Sequence, residues 1–501
     1  MRNKWLVLLC VLALALGMVT ATGAQEQQPL SGELVVSFWG SVDAYEQGLS
    51  DNRPWEATYN LIKQWDEMHE GVTVTFISQP IDGIYDRIRT QLISGTLPDL
   101  VAMYPSNSYL EGNLDLLVDL TPFMAEKNPY GQFDTWAEEF WYDQSLGLRD
   151  SAIPKDQVYF AGNSLPSNIG QLVMYYNIDA FEAAGVTERP ESFAELLNAC
   201  DSLKSSGVTP MFADAAGGPY LGWYSSWMGE QLLDPITQNI ISAWGVEDGF
   251  SVVTEQMIAW AITNDVMQGT DPLLLELARL MKEMKDRCWN EDWQAADSTV
   301  DYFLTKRTAM THNGFWMLPQ YIESPDRDFE FGTFVFPVIN AESSELAVLD
   351  TVRRWGGVEG GEIGNSFFIP QTTADNGKLE LALDLLQFLT ARTTNDQWCE
   401  PQFPPCVPKD QPIEEVLTDP IVQEQVYGFY NPTMSVETAV RGIGNSDWTP
   451  DGVFLRLFDL YATDGLTLEE FGAQLDAEYQ RWAEKAIIDH PEWDTAAWPQ
   501  P

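Results

Sequence analysis

Nineteen tryptophans, with 24 phenylalanines and 18 tyrosines, are the first chemical signature of this 501-residue chain. Aromatic faces hold the apolar C–H face of a sugar ring, and polar groups around the rim take its hydroxyls. Two stretches concentrate such groups. Trp223 and Trp227 lie in the glycine- and aromatic-rich segment 217–229. Arg354-Trp355-Gly356-Gly357 sets a bidentate donor and a flat ring beside glycines that permit close backbone approach. Bond-making chemistry leaves a fainter trace. A glycoside hydrolase needs two carboxylates facing one bond, roughly 5 to 10 Å apart. With 75 acidic residues, suggestive pairs arise by chance everywhere. No Gly-x-Ser-x-Gly elbow, His-Glu-x-x-His pair or phosphate loop stands out. Three histidines and no cysteine cluster at ligand spacing argue against zinc. Binding without a cofactor or metal is the expectation.

The elements that position these residues read as alternating strands and helices. Leu34, Val36 and Phe38 alternate along a strand at Glu33–Trp39. Pro54 opens a helix with Leu61, Trp65 and Met68 on one side, ended by Gly71. Val72, Val74 and Phe76 mark a second strand. Ile84, Ile88 and Leu92 mark a second helix, closed by Gly95. Leu100–Tyr104 is a continuous apolar run, as in a parallel strand covered on both faces. This βαβαβ order predicts an open α/β sheet. A second α/β region begins near Gln171, with a strand at Leu172–Tyr176 and a capping box, Ser192 with Glu195, opening a helix stopped by Gly207. Pro210–Ala213 reads as a short strand. Helices follow from Asp271-Pro272 to about Lys285, at Leu379–Thr390, and from Thr467 through Phe471, Leu475, Tyr479 and Trp482.

The ends and the charge bound the compartment and the partners. Arg2 and Lys4, an apolar run from Trp5 to Leu16 and the small residues Thr22-Gly23-Ala24 have the layout of a secretory signal peptide over residues 1–24. The run is shorter than the roughly 20 residues of a membrane span. Cys10 raises the prospect of a lipid tether, but it sits inside the apolar run rather than at its end. A formal charge of −48 repels nucleic acid and excludes that class of partner. Of the four cysteines beyond the leader, Cys399 and Cys406 flank a short proline-rich loop and are expected to form a local disulfide. Cys200, on the apolar side of its helix, reads as a buried free thiol, with pairing to Cys288 left open.

Several segments, in order, resemble the extracellular solute-binding proteins of family 1, the maltose-binding-protein-like subunits of ABC importers. They are Ser37-Phe38-Trp39-Gly40, Gly95-Thr96-Leu97-Pro98-Asp99-Leu100, Val173-Met174-Tyr175-Tyr176-Asn177 with Phe181-Glu182-Ala183-Ala184-Gly185, and Ser192-Phe193-Ala194-Glu195-Leu196-Leu197. Thr308-Ala309-Met310-Thr311-His312-Asn313-Gly314-Phe315-Trp316, Gly364-Asn365-Ser366-Phe367-Phe368-Ile369-Pro370 and the tail Gly465-Leu466-Thr467-Leu468-Glu469-Glu470-Phe471 complete the set. The chain departs from the family by extra length around Asp115–Pro166 and Gly217–Asp271. The resemblance implies a two-lobed, type II-like periplasmic-binding-protein fold of α/β class, its lobes joined by crossing hinge segments, with a helical C-terminal tail. The N-terminal lobe is expected over 30–165 plus 363–408, and the C-terminal lobe over 170–358 plus 410–501.

On that fold, ligands contact loops at the carboxyl ends of strands. Trp39 and Asp43 in the loop after the first strand, and Tyr104 and Ser106 after the third, are expected at the cleft. Tyr176 and Asn177 end the first strand of the second lobe, where the resemblance also implies contacts. Trp316 resembles the family tryptophan that stacks on sugar, and Trp448 the aromatic contributed from the tail. Trp223, Trp227 and Trp355 are further candidates, and Asn168 lies at the first crossing as hinge or contact. Asp99 is expected to satisfy backbone donors instead. The function implied is an exported, monomeric carbohydrate-binding protein, in the periplasm or at the outer cell surface, that delivers an oligosaccharide to ABC permease subunits. An exported glycoside hydrolase and a surface lectin or sensor are the competing classes.

Overall fold

The computed structural model describes residues 29–39, 42–47, 53–80, 83–103, 110, 112–139, 157–164, 172–214, 219–245, 253–296, 301–314, 317–347, 363–391, 393–394, 420–430, 452–491 and 493–500. Two separate sheets organise the chain. The first is built from β1 (Gly32–Trp39), β2 (Val72–Gln79), β3 (Leu100–Ala102), β4 (Phe160–Ser164) and β8 (Ile363–Phe368), in the order β2-β1-β3-β8-β4. The second is built from β5 (Leu172–Asn177), β6 (Met310–Gly314) and β7 (Phe331–Phe334), in the order β6-β5-β7.

The βαβαβ reading of the N-terminal part holds. β1 pairs in parallel with both β2 and β3. Between them run α2 (Arg53–Met68) and α3 (Ile84–Ser94), and a short helix, α1 (Val42–Gln47), follows β1. Ile84, Ile88 and Leu92 are the buried stripe of α3, and Gly95 ends it in the left-handed conformation that its missing Cβ permits. On α2, Leu61 and Trp65 are buried, but Met68, in the final turn, lies beyond the packed face and is 52% exposed. Asp99 does what its position suggested. Its Oδ2 accepts from the Val35 backbone N–H and from Lys378 Nζ, both at 2.8 Å, tying β1 to the loop before β3. The late strand β8 makes the sheet mixed, because it runs antiparallel to both β3 and β4.

β5 is the central strand of the second sheet and is buried along its whole length. Its alternation divides two cores. Leu172, Met174 and Tyr176 face a large cluster that includes α5 (Phe193–Ser205), α6 (Pro219–Leu232), α8 (Glu255–Thr263) and α9 (Pro272–Cys288), the chain having passed through α4 (Ile178–Ala183) and α7 (Asp234–Ala243). Val173 and Tyr175 face a second cluster that contains Phe303, Tyr321 and Phe331 together with Leu34, Trp65 and Leu385 of the first-sheet elements. That apolar continuity, with α10 (Leu318–Glu323) and α11 (Leu379–Thr390) in it, links the two sheets.

Local signals in this half read correctly. Ser192 and Glu195 cap α5 reciprocally, and Thr467 and Glu470 do the same for α14 (Leu468–Asp489). Pro210–Ala213 is not a full strand. Only Met211 bridges, in parallel, to Trp289 and to Met310. Cys200 is not a free thiol either: it is bonded to Cys288, with the Cα atoms 5.1 Å apart, stapling α5 to α9 inside the core. The helical expectation for Leu379–Thr390 is met by α11. α12 (Pro420–Tyr430) packs along β7, where Thr333 Oγ1 donates to the Gln425 carbonyl at 3.0 Å. α13 (Val453–Ala462) and α14 close the large cluster faced by Leu172, Met174 and Tyr176, and Trp260 Nε1 donates to the Pro499 carbonyl at 2.9 Å, fixing the C-terminal segment. Among the described residues, no helix is long and apolar enough to cross a membrane, and no group of three metal-ligating side chains forms.

Candidate functional site

Strand direction locates the site. In the first sheet β1, β2, β3 and β4 all point one way, and β8 opposes them. Their carboxyl ends carry Trp39, Met103 and Ser164, and Ile363 opens β8 beside Ser164. From Ser164 the chain passes through residues 165–171 to Leu172, the start of β5. Leu172 pairs with Gly314, the last residue of β6. Residues 210–213 bridge in parallel to the start of β6, so they too end, at Asp214, on that side. The carboxyl ends of β4 and β6 therefore lie where the chain passes from one sheet to the other. In open α/β sheets those ends are where ligands bind.

The second-sheet end carries a buried polar cluster. Asp214 is 3% exposed, and its Oδ1 accepts from the backbone N–H of Tyr220 at 3.0 Å and of Leu221 at 3.4 Å, holding the first turn of α6. Its other oxygen, Oδ2, is buried without a partner. Burial pushes the Asp214 carboxyl up to about 6, against the opposing pull of those backbone N–H groups. Asn313 Nδ2 donates to Tyr220 Oη at 3.0 Å, and Asn313 Oδ1 accepts from the Gly314 N–H at 2.8 Å. Tyr175 Oη donates to the Gly314 carbonyl at 2.8 Å. Asp301 is raised by burial as well, while its Oδ1 accepts from the Leu304 N–H at 2.8 Å. Burial also raises Tyr220 far above the usual phenol range. The Tyr220 ring meets Phe212 edge-on at 4.7 Å and Trp223 at 5.1 Å, so the polar groups are backed by flat apolar surface.

Directly behind lies His312 on β6, fully buried, with neither ring nitrogen hydrogen-bonded. Tyr224 stacks on it at 5.3 Å, and Trp223 and Trp227 meet it edge-on at 5.9 and 4.9 Å. Desolvation lowers its pKa to about 3, so it stays neutral through the physiological range.

The residues singled out from sequence distribute unevenly over this frame. Trp39 is the last residue of β1, its backbone in register with Gln79 at the carboxyl end. Asp43 is exposed on α1, which is anchored to the same end of β2 by a bond from the Val42 N–H to Ser78 Oγ, 3.0 Å. Trp223 sits half-buried beside the polar cluster, while Trp227 is core. Tyr176 requires a correction. β5 runs antiparallel to β6, so Tyr176 and Asn177 lie at the end of the sheet away from the crossing segment. There the Tyr176 hydroxyl donates to Glu424, which also pairs with Arg189, and the Asn177 side chain caps α4 by accepting from the Ala180 N–H. Gly332 is required at this point, because a Cβ would approach the Tyr176 ring to 2.6 Å. Tyr104, Ser106, Asn168, Trp316, Trp355, Trp448, Cys399 and Cys406 lie outside the described residues, as does the expected leader. Asp214, Tyr220 and Asn313 were not singled out as contacts. The available signal was an aspartate at the end of a short apolar run, just before a glycine-rich helix start.

Two α/β lobes, one on each sheet, define the two-lobed architecture of a binding protein. The chain matches the family model of the bacterial extracellular solute-binding proteins over residues 55–395, and it belongs to that family. Solved structures share the fold. The sugar-binding protein MalE from Xanthomonas citri is 12% identical with a TM-score of 0.58, the match covering 92% of this chain and 100% of that one. RafE in complex with raffinose is 16% identical with a TM-score of 0.57, covering 90% and 100%. Among curated proteins, the arabinooligosaccharide-binding protein of Bacillus subtilis (strain 168) is 24% identical over 190 residues, 37% of this chain. That alignment spans only 38% of the relative's length.

Proposed function

We propose that this chain is an exported binding protein that captures a carbohydrate, of oligosaccharide size, between its lobes and presents it to an ABC permease. The observation that carries this reading is the meeting of strand carboxyl ends from both sheets at the crossing segments. There, buried acceptors on Asp214 and Asn313 adjoin the aromatic surface of Tyr220 and Trp223. The names of the relatives, binders of arabino-oligosaccharides, raffinose and other sugars, support the ligand class. The lobes are taken as 30–165 plus 363–408, and 170–358 plus 410–501. The second division is supported by the packing of α12 on β7.

The mechanism has no bond-making step. Sugar binds one lobe through stacked rings and hydrogen bonds, the lobes close about the crossing segments, and water is expelled. Closure is driven only by the ligand's greater affinity for the closed form. The permease reads that closed form. Trp39, Asp43, Tyr104, Ser106, Trp223, Trp316, Trp355 and Trp448 are proposed contacts, with Asn168 as contact or hinge. The protein acts as a monomer, without cofactor, in the periplasm or at the cell surface. A thermal-shift screen of the mature chain against oligosaccharides, polyols, amino acids and peptides tests this. A ligand at 100 times its dissociation constant stabilises by about 2.7 kcal/mol. A shift with an oligosaccharide that is recovered intact supports capture. Breakdown of the sugar, or shifts with other solutes alone, overturns it.

A further inference from the structure

A carboxylate oxygen that is buried and has no hydrogen-bond partner is costly, because desolvation is not offset by any donor. Scaffold carboxylates among the described residues avoid that state. Asp99, for example, has Oδ2 engaged by both Val35 and Lys378, and neither of its oxygens is buried without a partner. Among the described residues, Asp214 Oδ2 is the one carboxylate oxygen buried without a partner, and it follows residues 210–213, which run parallel to β6 towards its carboxyl end. Resting on the carbohydrate reading above, we propose that Asp214 sets the charge class of the ligand: Oδ2 takes a hydrogen bond from a neutral or amino sugar, rejects acidic sugars, and couples binding to loss of a proton.

The surroundings make this specific. On α6 the ionisable neighbours are Tyr220 and Tyr224, both held neutral by burial. On β6 it is His312, also neutral. From residues 290–307 come Asp292, Asp301, Tyr302 and Arg307, and from α10 comes Tyr321, whose phenol is raised by burial. The one cation in that set, Arg307, lies over the Tyr302 ring at 3.5 Å and pairs with Asp292 at 3.2 Å. Among the described residues, no cation contacts Asp214 or Asp301. Nothing among the described residues compensates the like charge that an acidic sugar meets at Asp214 and Asp301. A sugar hydroxyl or ammonium instead supplies the missing donor, and a charge-assisted bond of that kind is strong. Because the bond favours the ionised carboxyl, ligand arriving at or below about pH 6 drives off the proton that Asp214 then carries. Acidification therefore weakens binding.

Calorimetric titration of the mature chain decides the matter. The probes are arabinotriose, maltotriose, raffinose, chitotriose, the glucosamine trimer and the galacturonate trimer, each at low and at high salt. Expected are binding of at least one neutral or amino oligosaccharide, its loss by about tenfold in Asp214→Asn, and a fall of about tenfold in wild type between pH 7.5 and pH 5 that the variant lacks. The asparagine keeps the Oδ1 cap on α6, and the wild-type pH series needs no variant at all. A neutral sugar bound equally by wild type and variant, or bound without pH dependence, overturns the role of Asp214 and leaves carbohydrate capture standing. So does tighter binding of the galacturonate trimer, or discrimination against it that vanishes at high salt, since that discrimination comes from net charge. If no sugar binds, the carbohydrate reading fails and this inference with it.

Discussion

Two carboxylates, one tied to each sheet, have opposite fates. Asp384 on α11 accepts from Trp65 Nε1 at 2.8 Å and from Tyr130 Oη at 2.5 Å, with His69 Nε2 at 3.8 Å. Every contact pulls a separate element of the first lobe together: α2, the loop at Tyr130 and α11. Burial and the bond to Asp384 raise the Tyr130 phenol well above its ordinary value, so it remains a donor. Asp214 in the second lobe holds the start of α6 with one oxygen and leaves the other buried and unmatched. The three contacts of Asp384 converge on Oδ1 of a side chain that is 21% exposed, so Asp384 has no oxygen left buried and unmatched. A buried acceptor left unmatched costs free energy instead. On the proposed reading, that difference rather than residue type separates scaffold from site, since both residues are aspartates.

The comparison is broken most forcefully by removing scaffold. Replacing both Cys200 and Cys288 by serine is expected to destabilise the chain by about 4 kcal/mol, because the bridge closes a long loop. Urea denaturation under oxidising conditions measures it, and a loss below about 1 kcal/mol removes the bridge from the frame behind the site. Next comes Asp384→Ala. It strands the fully buried Trp65 N–H and leaves the Tyr130 hydroxyl only His69 Nε2 at 3.4 Å, for an expected loss of about 3 kcal/mol with ligand affinity unchanged. A change in affinity larger than the change in stability would make Asp384 part of the site.

How much of this was legible beforehand follows from the range of each interaction. Helices α3, α5, α11 and α14 were legible because their stripes, caps and closing glycines are local. β5 was legible as a strand from its apolar run. Its direction relative to β6 was not, since antiparallel pairing is decided by residues more than a hundred positions away. That is why Tyr176 was taken for a cleft residue when it points to Glu424. The Cys200–Cys288 bond was undecidable for the same reason: the residues are 88 apart and meet only when α5 packs on α9. Asp214 was hidden differently. In a chain with 75 acidic residues another aspartate carries no signal, and only burial with an unmatched oxygen distinguishes it.

Smaller effects sharpen the comparison through pH. His312 is neutral in the folded chain with a pKa near 3, against about 6.5 when unfolded. The unfolded chain binds the extra proton, so stability is full above pH 6.5 and declines by about 1.4 kcal/mol per pH unit below it. His312→Phe fits the box of Tyr224, Trp223 and Trp227 and should remove that acid-side slope. Thermal melts from pH 4 to 7 read it, and an unchanged slope means the histidine is not the acid-sensitive group.

Asp214 works with the opposite sign. Its folded pKa near 6 lies above the ordinary carboxyl value, so between about pH 4 and 6 the folded chain binds more protons than the unfolded one. Stability therefore falls as pH rises through that window and stays lower above it. Asp214→Asn lacks the ionisation and should be the more stable protein at pH 7.5, by about 1 kcal/mol after allowance for solvent screening. In wild type the two slopes oppose each other across the same window, and the net curve is shallow. The single variants separate them: His312→Phe exposes the fall due to Asp214, and Asp214→Asn exposes the rise due to His312. A variant at position 214 that gains stability while losing sugar is the signature of a residue kept for binding at the expense of the fold. One that loses stability at pH 7.5 returns Asp214 to the scaffold beside Asp384.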